Sequence, residues 1–277
     1  MAHPIKHILM PTDFSGYSNN AFHFALNLAQ KNGASLTLLH VVEPPYNFAT
    51  AVEGILQIME KNAYSRLNKM IDETENSEFD EVEVETKVVH GRTSREIISQ
   101  IKECNADVIV MGSQGQTGLK RVVFGSVSAV VMEDSPIPVF VIPAEGQSVG
   151  QQISDILFIT NLRENDPENL VYLQSITSLF KANIKVIYFT GNHDFESQIR
   201  FNGFSKVIDG LGLDPSPEMT VRENKSALCG LSEYLEENPA SIVVLNRYKR
   251  SIVQSLFGKD DSDEMMNYSK TPILILP

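Results

Sequence analysis

Glycines and a hydroxyl recur at close spacing in "GSQGQTGLKRVVFGSVS", residues Gly112 to Ser128. Gly112, Gly115, Gly118 and Gly125 stand in this stretch, and Ser126 directly follows the last of them. Glycine lacks the Cβ that keeps backbone amides away from an anion, and it tolerates the positive φ of an anion-binding nest. Gly125-Ser126 reads as the opening of a helix, "SVSAVVME", whose first amides and dipole favour phosphate. The hydroxyls of Ser126 and Ser128 are further donors. Such a cradle holds phosphate by main chain and needs no lysine; GxxxxGK[ST] and GxGxxG are both absent. The same composition also fits a surface loop or a mobile lid. A second candidate is Asp13 in "PTDFS". A carboxylate suits ribose hydroxyls and sits badly beside phosphate. Taken alone, it is equally a turn or helix N-cap residue.

The elements that must position these residues are written in the apolar pattern. A strand "HILM" precedes a helical stretch from Ser18 to Lys31 with apolar Ala21, Phe22, Phe24, Ala25 and Leu28, closed by Gly33 in the manner of a C′ glycine. Then come "SLTLLHVVE", a long amphipathic helix ending near "MIDETEN", and "VEVETKVVH". A helix from Thr93 or Ser94 to about Cys104 leads into "DVIVMG", the glycine stretch and "PVFVIP". The chain repeats this plan. "HILMPTD" (His7 to Asp13) matches "DILFITN" (Asp155 to Asn161), and "SPIPVFVIP" (Ser135 to Pro143) matches "SKTPILILP" (Ser269 to Pro277). Val/Ile/Leu runs alternating with helices predict an α/β chain with two doubly wound five-stranded parallel sheets of strand order 3-2-1-4-5. The expected domains are 1–147 and 152–277, joined near "SVGQQISD". In that order the crevice lies between the first and fourth strands, so "PTDFS" and "GSQGQTG" both face it. The closing strand of each half is apolar, flanked by prolines and at a sheet edge. The two edges are expected to meet as an internal pseudo-dimer, unless a loop covers each; a homodimer is a further possibility.

Gly112-x2-Gly115-x9-Gly125-Ser126, with "PTDFS" after the first strand and "LLHVVE" in the second, resembles the universal stress protein family in its tandem, two-domain form. The resemblance spans the whole chain and implies an adenine-nucleotide-hydrolase-like fold with ATP in the first half, Mg2+ alongside. Carried over position by position, it places Asp13 at the ribose or adenine end, with Pro11 and Thr12 shaping the pocket. Val41 meets adenine through its backbone and Met111 packs nearby. Gly112, Gln114, Gly115, Gly125, Ser126, Val127 and Ser128 surround the phosphates. It further implies a nucleotide-sensing or regulatory role in the stress response through a protein partner that the residues do not identify. A slow ATPase and a nucleotide-free scaffold are the alternatives; no general base beside the glycine stretch is evident, so an enzyme is not the leading expectation.

The second half departs from the motif. Asn246 stands for Gly112, Lys249 for Gly115, Lys259 for Ser126 after Gly258, and Asn161 for Asp13. Side chains there crowd the approach of a phosphate, and Asp260, Asp261 and Asp263 would repel it. Elsewhere the sequence mostly excludes. With 42% apolar and 21% charged residues the chain reads as a globular protein, and a net charge of -12 without a cationic stripe argues against nucleic acid or an anionic membrane as partner. The opening "MAHPIKHILMPTD" does not read as a signal peptide, and no apolar run approaches the ~20 residues of a membrane span. Two distant cysteines, Cys104 and Cys229, fit a reducing cytoplasm. The six histidines are scattered, which gives a zinc site little support. Ile55, Ile58, Met59 and Leu67 read as core or as a helix-to-domain contact.

Overall fold

The computed structural model describes residues 5–44, 52–74, 77–115, 124–143, 153–191, 194–224, 227–247 and 270–277. They fall into two compact units, one within Ile5–Ala144 and one within Glu145–Pro277.

The N-terminal unit runs β1 (His7–Pro11), α1 (Gly16–Asn32), β2 (Ser35–Val42), α2 (Val52–Asp72), β3 (Val84–His90), α3 (Thr93–Glu103), β4 (Val108–Gly112), α4 (Ser126–Asp134) and β5 (Val139–Ile142). Its strands lie in the order β3-β2-β1-β4-β5, each neighbouring pair parallel. The interior strands are buried along almost their whole length because helices cover both faces. Ile8, Met10, Leu36, Leu38, Val108, Val110 and Phe140 form this core, with the Phe24 ring of α1 5.1 Å from that of Phe140.

Local chemistry sets the helix ends. Ser15 caps α1 by accepting from the Ser18 amide, and Gly33 closes it at φ 61, ψ 36, the left-handed conformation that glycine adopts without penalty. At α3 the N-cap residue, Arg92, contributes no side-chain bond. Glu43, just past β2, caps it instead: its Oε1 accepts from both the amide and the hydroxyl of Thr93, each at 2.7 Å. The α2 residues divide differently from the sequence expectation. Leu67 is core, together with Ala63 and Met70, but Ile58 is 63% exposed and Ile55 and Met59 lie near 38% and 37%. The buried stripe occupies the C-terminal half of the helix, where Ala63, Leu67 and Met70 share one face.

The C-terminal unit repeats the plan as β6 (Asp155–Thr160), α5 (Asp166–Phe180), β7 (Asn183–Thr190), α6 (Phe195–Gly210), β8 (Glu218–Glu223), α7 (Ala227–Glu237), β9 (Ile242–Asn246) and β10 (Ile273–Leu276). Its order, β8-β7-β6-β9-β10, is again 3-2-1-4-5 and parallel throughout. The first turns of the two units are alike. The Phe14 amide donates to Thr12 Oγ1 at 3.0 Å, the Leu162 amide to Thr160 Oγ1 at 2.9 Å, and both Phe14 and Leu162 hold left-handed backbone at φ 63 and 56.

Candidate functional site

Two backbone hydrogen bonds open the crevice. Beyond β1 the chain stays with β2, the Thr12 amide donating to the Leu39 carbonyl at 2.8 Å; beyond β4 it stays with β5, the Ser113 amide donating to Ile142 at 2.8 Å. The central strands β1 and β4 therefore part at their carboxyl ends, where the strand order reverses. A pocket of about 440 Å3 fills the opening, within the range of roughly 300–1,000 Å3 usual for small-molecule sites. Its wall includes every residue expected from the sequence: Pro11, Thr12, Asp13, Val41, Met111, Gly112, Gln114, Gly115, Gly125, Ser126, Val127 and Ser128.

One end of the pocket is the start of α4. The first bond within that helix is donated by Ala129 to the Gly125 carbonyl, so the amides of Ser126, Val127 and Ser128 have no acceptor inside the helix. Two bonds tie this end to Ser113, just past β4: the Gly125 amide donates to the Ser113 carbonyl at 2.7 Å, and so does the Ser128 hydroxyl at 2.8 Å, its one hydrogen shared with the Gly125 carbonyl at 2.9 Å. Ser128 thus departs from the expectation in one respect. Its buried hydroxyl anchors the helix start, and only its amide is left for a ligand. Ser126 is exposed and keeps its hydroxyl at the mouth.

The glycines serve proximity, not left-handed backbone. None of Gly112, Gly115 and Gly125 has positive φ. A Cβ on Gly112 would lie 2.9 Å from the carbonyl carbon and the Cβ of Tyr17, so this glycine lets β4 pack against the first turn of α1. A Cβ on Gly115 would lie 2.7 Å from Asp13 Oδ2, which sets the two loops in contact. At Gly125 the nearest atom, Gln114 Cα, is 3.4 Å from such a Cβ. Gly118 lies outside the described residues.

Asp13, also on the pocket wall, sits in a turn. Its Oδ1 accepts from the Ser15 amide at 3.0 Å, while Ser15 and not Asp13 caps α1. Thr12 is buried and wholly engaged: its hydroxyl meets Ser18 Oγ at 3.1 Å and its carbonyl accepts from His40 Nδ1 at 2.8 Å. His40 was missed by sequence reasoning, which set all histidines aside as scattered. Its Nδ1 must carry the proton to donate to a carbonyl. Burial holds its pKa below 6.5; the Thr12 bond and Asp13 oppose that shift, and Arg66 adds to it. Leu39, Thr93, Ile97, Ser18 and Phe124 also line the pocket without having been singled out. Thr93 and Ile97 lie one turn apart on α3, a spacing visible in the sequence once the helix start is placed over the crevice.

In the C-terminal unit a side-chain network stands at the end of β9. Asn246, at the end of β9, is 3% exposed; its Nδ2 donates to Asp166 Oδ1 at 2.6 Å and its Oδ1 accepts from Asn169 at 2.8 Å. Asp166, fully buried, also accepts from the Thr160 hydroxyl and the Arg163 amide through Oδ2. A buried polar network thus joins the end of β9 to the start of α5, where the N-terminal unit has Gly112 against the first turn of α1. Lys249, Gly258, Lys259, Asp260, Asp261 and Asp263 lie outside the described residues. Among the described residues no group of three His, Cys, Asp or Glu side chains is placed to hold a metal, and no helix is long and apolar enough to cross a membrane.

Comparison with known proteins agrees with this architecture. The sequence profile of the universal stress protein family matches residues 4–143. A universal stress protein of Methanocaldococcus jannaschii is 30% identical over 144 residues, 50% of this chain and 81% of that protein. One from Bacillus subtilis is 31% identical over 143 residues, 49% of this chain and 97% of its own. The crystal structure of a universal stress protein from Archaeoglobus fulgidus covers 98% of this chain and 95% of its own with a TM-score of 0.74 at 21% identity, a likeness of fold.

Proposed function

The chain belongs to the universal stress protein family, and on that premise we propose that its N-terminal unit binds an adenine nucleotide, ATP foremost, and acts as a nucleotide-sensing module in the response to stress. One observation supports this reading: Ser126, Val127 and Ser128, whose amides have no acceptor inside α4, line a pocket between parted strands together with Asp13. Amides at a helix start favour a polyphosphate over any neutral ligand. Asp13 accepts from ribose hydroxyls, and the apolar side chains of Leu39, Val41 and Ile97 give the base a wall. Gly115, in contact with Asp13, marks the boundary between the sugar and phosphate ends.

Mg2+ fits this arrangement as a companion of the nucleotide. The described residues offer no three-ligand set, so the phosphates would hold the ion, and it would neutralise charge that the described pocket lining meets with amides. We expect occupancy, not turnover, to be the signal. Regulation then requires two states of the chain that differ in affinity for the nucleotide. A single-turnover incubation of purified chain with Mg2+ and ATP is expected to return intact ATP. Stoichiometric release of phosphate would instead establish a slow ATPase.

A further inference from the structure

Phe14 stands at the centre of the turn that carries Asp13. The bond from the Ser15 amide to Asp13 Oδ1 arches over it, so any rotation of the Phe14 backbone moves the carboxylate and the α1 cap together. Its left-handed φ of 63 is unusual for a bulky side chain. The turn does not need an aromatic residue: Leu162 holds the same conformation in the C-terminal unit, with the same threonine hydroxyl accepting its amide.

The N-terminal unit adds a stack. The Phe14 ring lies 4.6 Å from that of His40, and Arg66 Cζ, on α2, lies 4.0 Å from the Phe14 centroid. His40 cannot turn freely because Nδ1 donates to the Thr12 carbonyl. By the β1–β2 and β6–β7 registers, Tyr188 takes the place of His40 in the C-terminal unit, beside a leucine in place of Phe14. The stack of Arg66 over Phe14 beside His40 belongs to the N-terminal unit, next to its pocket.

We propose that the Arg66–Phe14–His40 stack positions Asp13, locking its turn so that the carboxylate is aimed at the sugar of a bound nucleoside phosphate. This rests on the nucleotide reading of the pocket. Arg66 is not among the residues that line the pocket; it stands over the Phe14 ring as a cation over a π-face. Phe14 and Arg66 are positioning residues, and α2 contributes to a site that it does not line.

The test uses the full chain and the variants Phe14→Leu, Arg66→Met and Arg66→Lys. Calorimetry with Mg2+ and ATP reads affinity, and amide hydrogen exchange of Ser15 in the nucleotide-free protein reads the turn itself. Phe14→Leu is the residue the C-terminal unit tolerates at this conformation, so folding is expected to survive. Phe14→Leu and Arg66→Met should weaken ATP roughly three- to tenfold and speed Ser15 exchange, at an unchanged melting temperature, while Arg66→Lys restores both. Unchanged affinity and unchanged Ser15 exchange in Phe14→Leu and Arg66→Met would overturn the proposal. So would a melting temperature that falls in step with affinity while all α1 amides exchange faster, since the stack would then be general packing. If the wild-type chain binds no nucleotide but Ser15 exchange responds as stated, the ligand reading falls and the locked turn stands.

Discussion

Asp13 and Gly115, from loops after two different strands, are in contact across the crevice: a Cβ on Gly115 would come within 2.7 Å of Asp13 Oδ2. Asp13 cannot simply swing aside, since its other oxygen accepts from the Ser15 amide. The predicted outcome for Gly115→Val is a loss of ATP affinity of at least tenfold, about 1.4 kcal/mol, at little cost in stability, because the clash is with a side-chain end and Gly115 has no left-handed φ. Paired calorimetry and thermal denaturation check both halves of the statement.

Gly112 behaves in the opposite way. Its missing Cβ would meet Tyr17 backbone at 2.9 Å, and backbone inside a helix turn cannot yield. Gly112→Ala is expected to destabilise the unit by about 1–3 kcal/mol, the usual cost of overpacking, read as a lowered urea midpoint. Wild-type stability in that variant would show that α1 and β4 can separate.

In the C-terminal unit, Asn246→Ala removes a donor from the buried Asp166 carboxylate. A cost of about 1–3 kcal/mol is expected, with ATP affinity unchanged because the proposed ligand site lies in the other unit. Chemical denaturation and calorimetry on one preparation give both values.

Burial lowers the His40 pKa from 6.5, so the unfolded chain takes up this proton before the folded one. The contribution to stability is complete above about pH 6.5 and is lost as pH falls from there through the folded pKa. Replacing His40 by Gln should flatten the pH dependence of stability in that window. Glu43 acts lower: its bonds from Thr93 hold its pKa below 4.5, so its contribution is present above that value and fades beneath it. Exposure of Glu43 makes that effect small. Urea midpoints measured across the two windows separate the two groups; an unchanged slope in the His40 variant would remove His40 from the account.

The strands, their order and the position of the crevice are legible because they rest on short-range pattern. Apolar runs give buried parallel strands, Gly33 gives a left-handed helix end, and 3-2-1-4-5 dictates which loops share the crevice. What escaped depends on distances that no pattern encodes. His40 enters the wall because a histidine nitrogen reaches the Thr12 carbonyl, 28 residues back along the chain. Glu43 caps a helix 50 residues ahead. Gly112 lines the pocket and also serves close packing against Tyr17, and the Ser128 hydroxyl, expected as a ligand donor, anchors the helix start. Ile58 followed helical periodicity into an expected contact, yet it stands 63% exposed, since the buried face of α2 is confined to its second half.

The central claim is tested most directly by titrating the full chain with Mg2+ and ATP in a calorimeter. The account predicts a single nucleotide per chain, with binding lost in Gly115→Val and retained in Asn246→Ala. No heat of binding at millimolar ATP, or a titration unaltered by Gly115→Val, would contradict it.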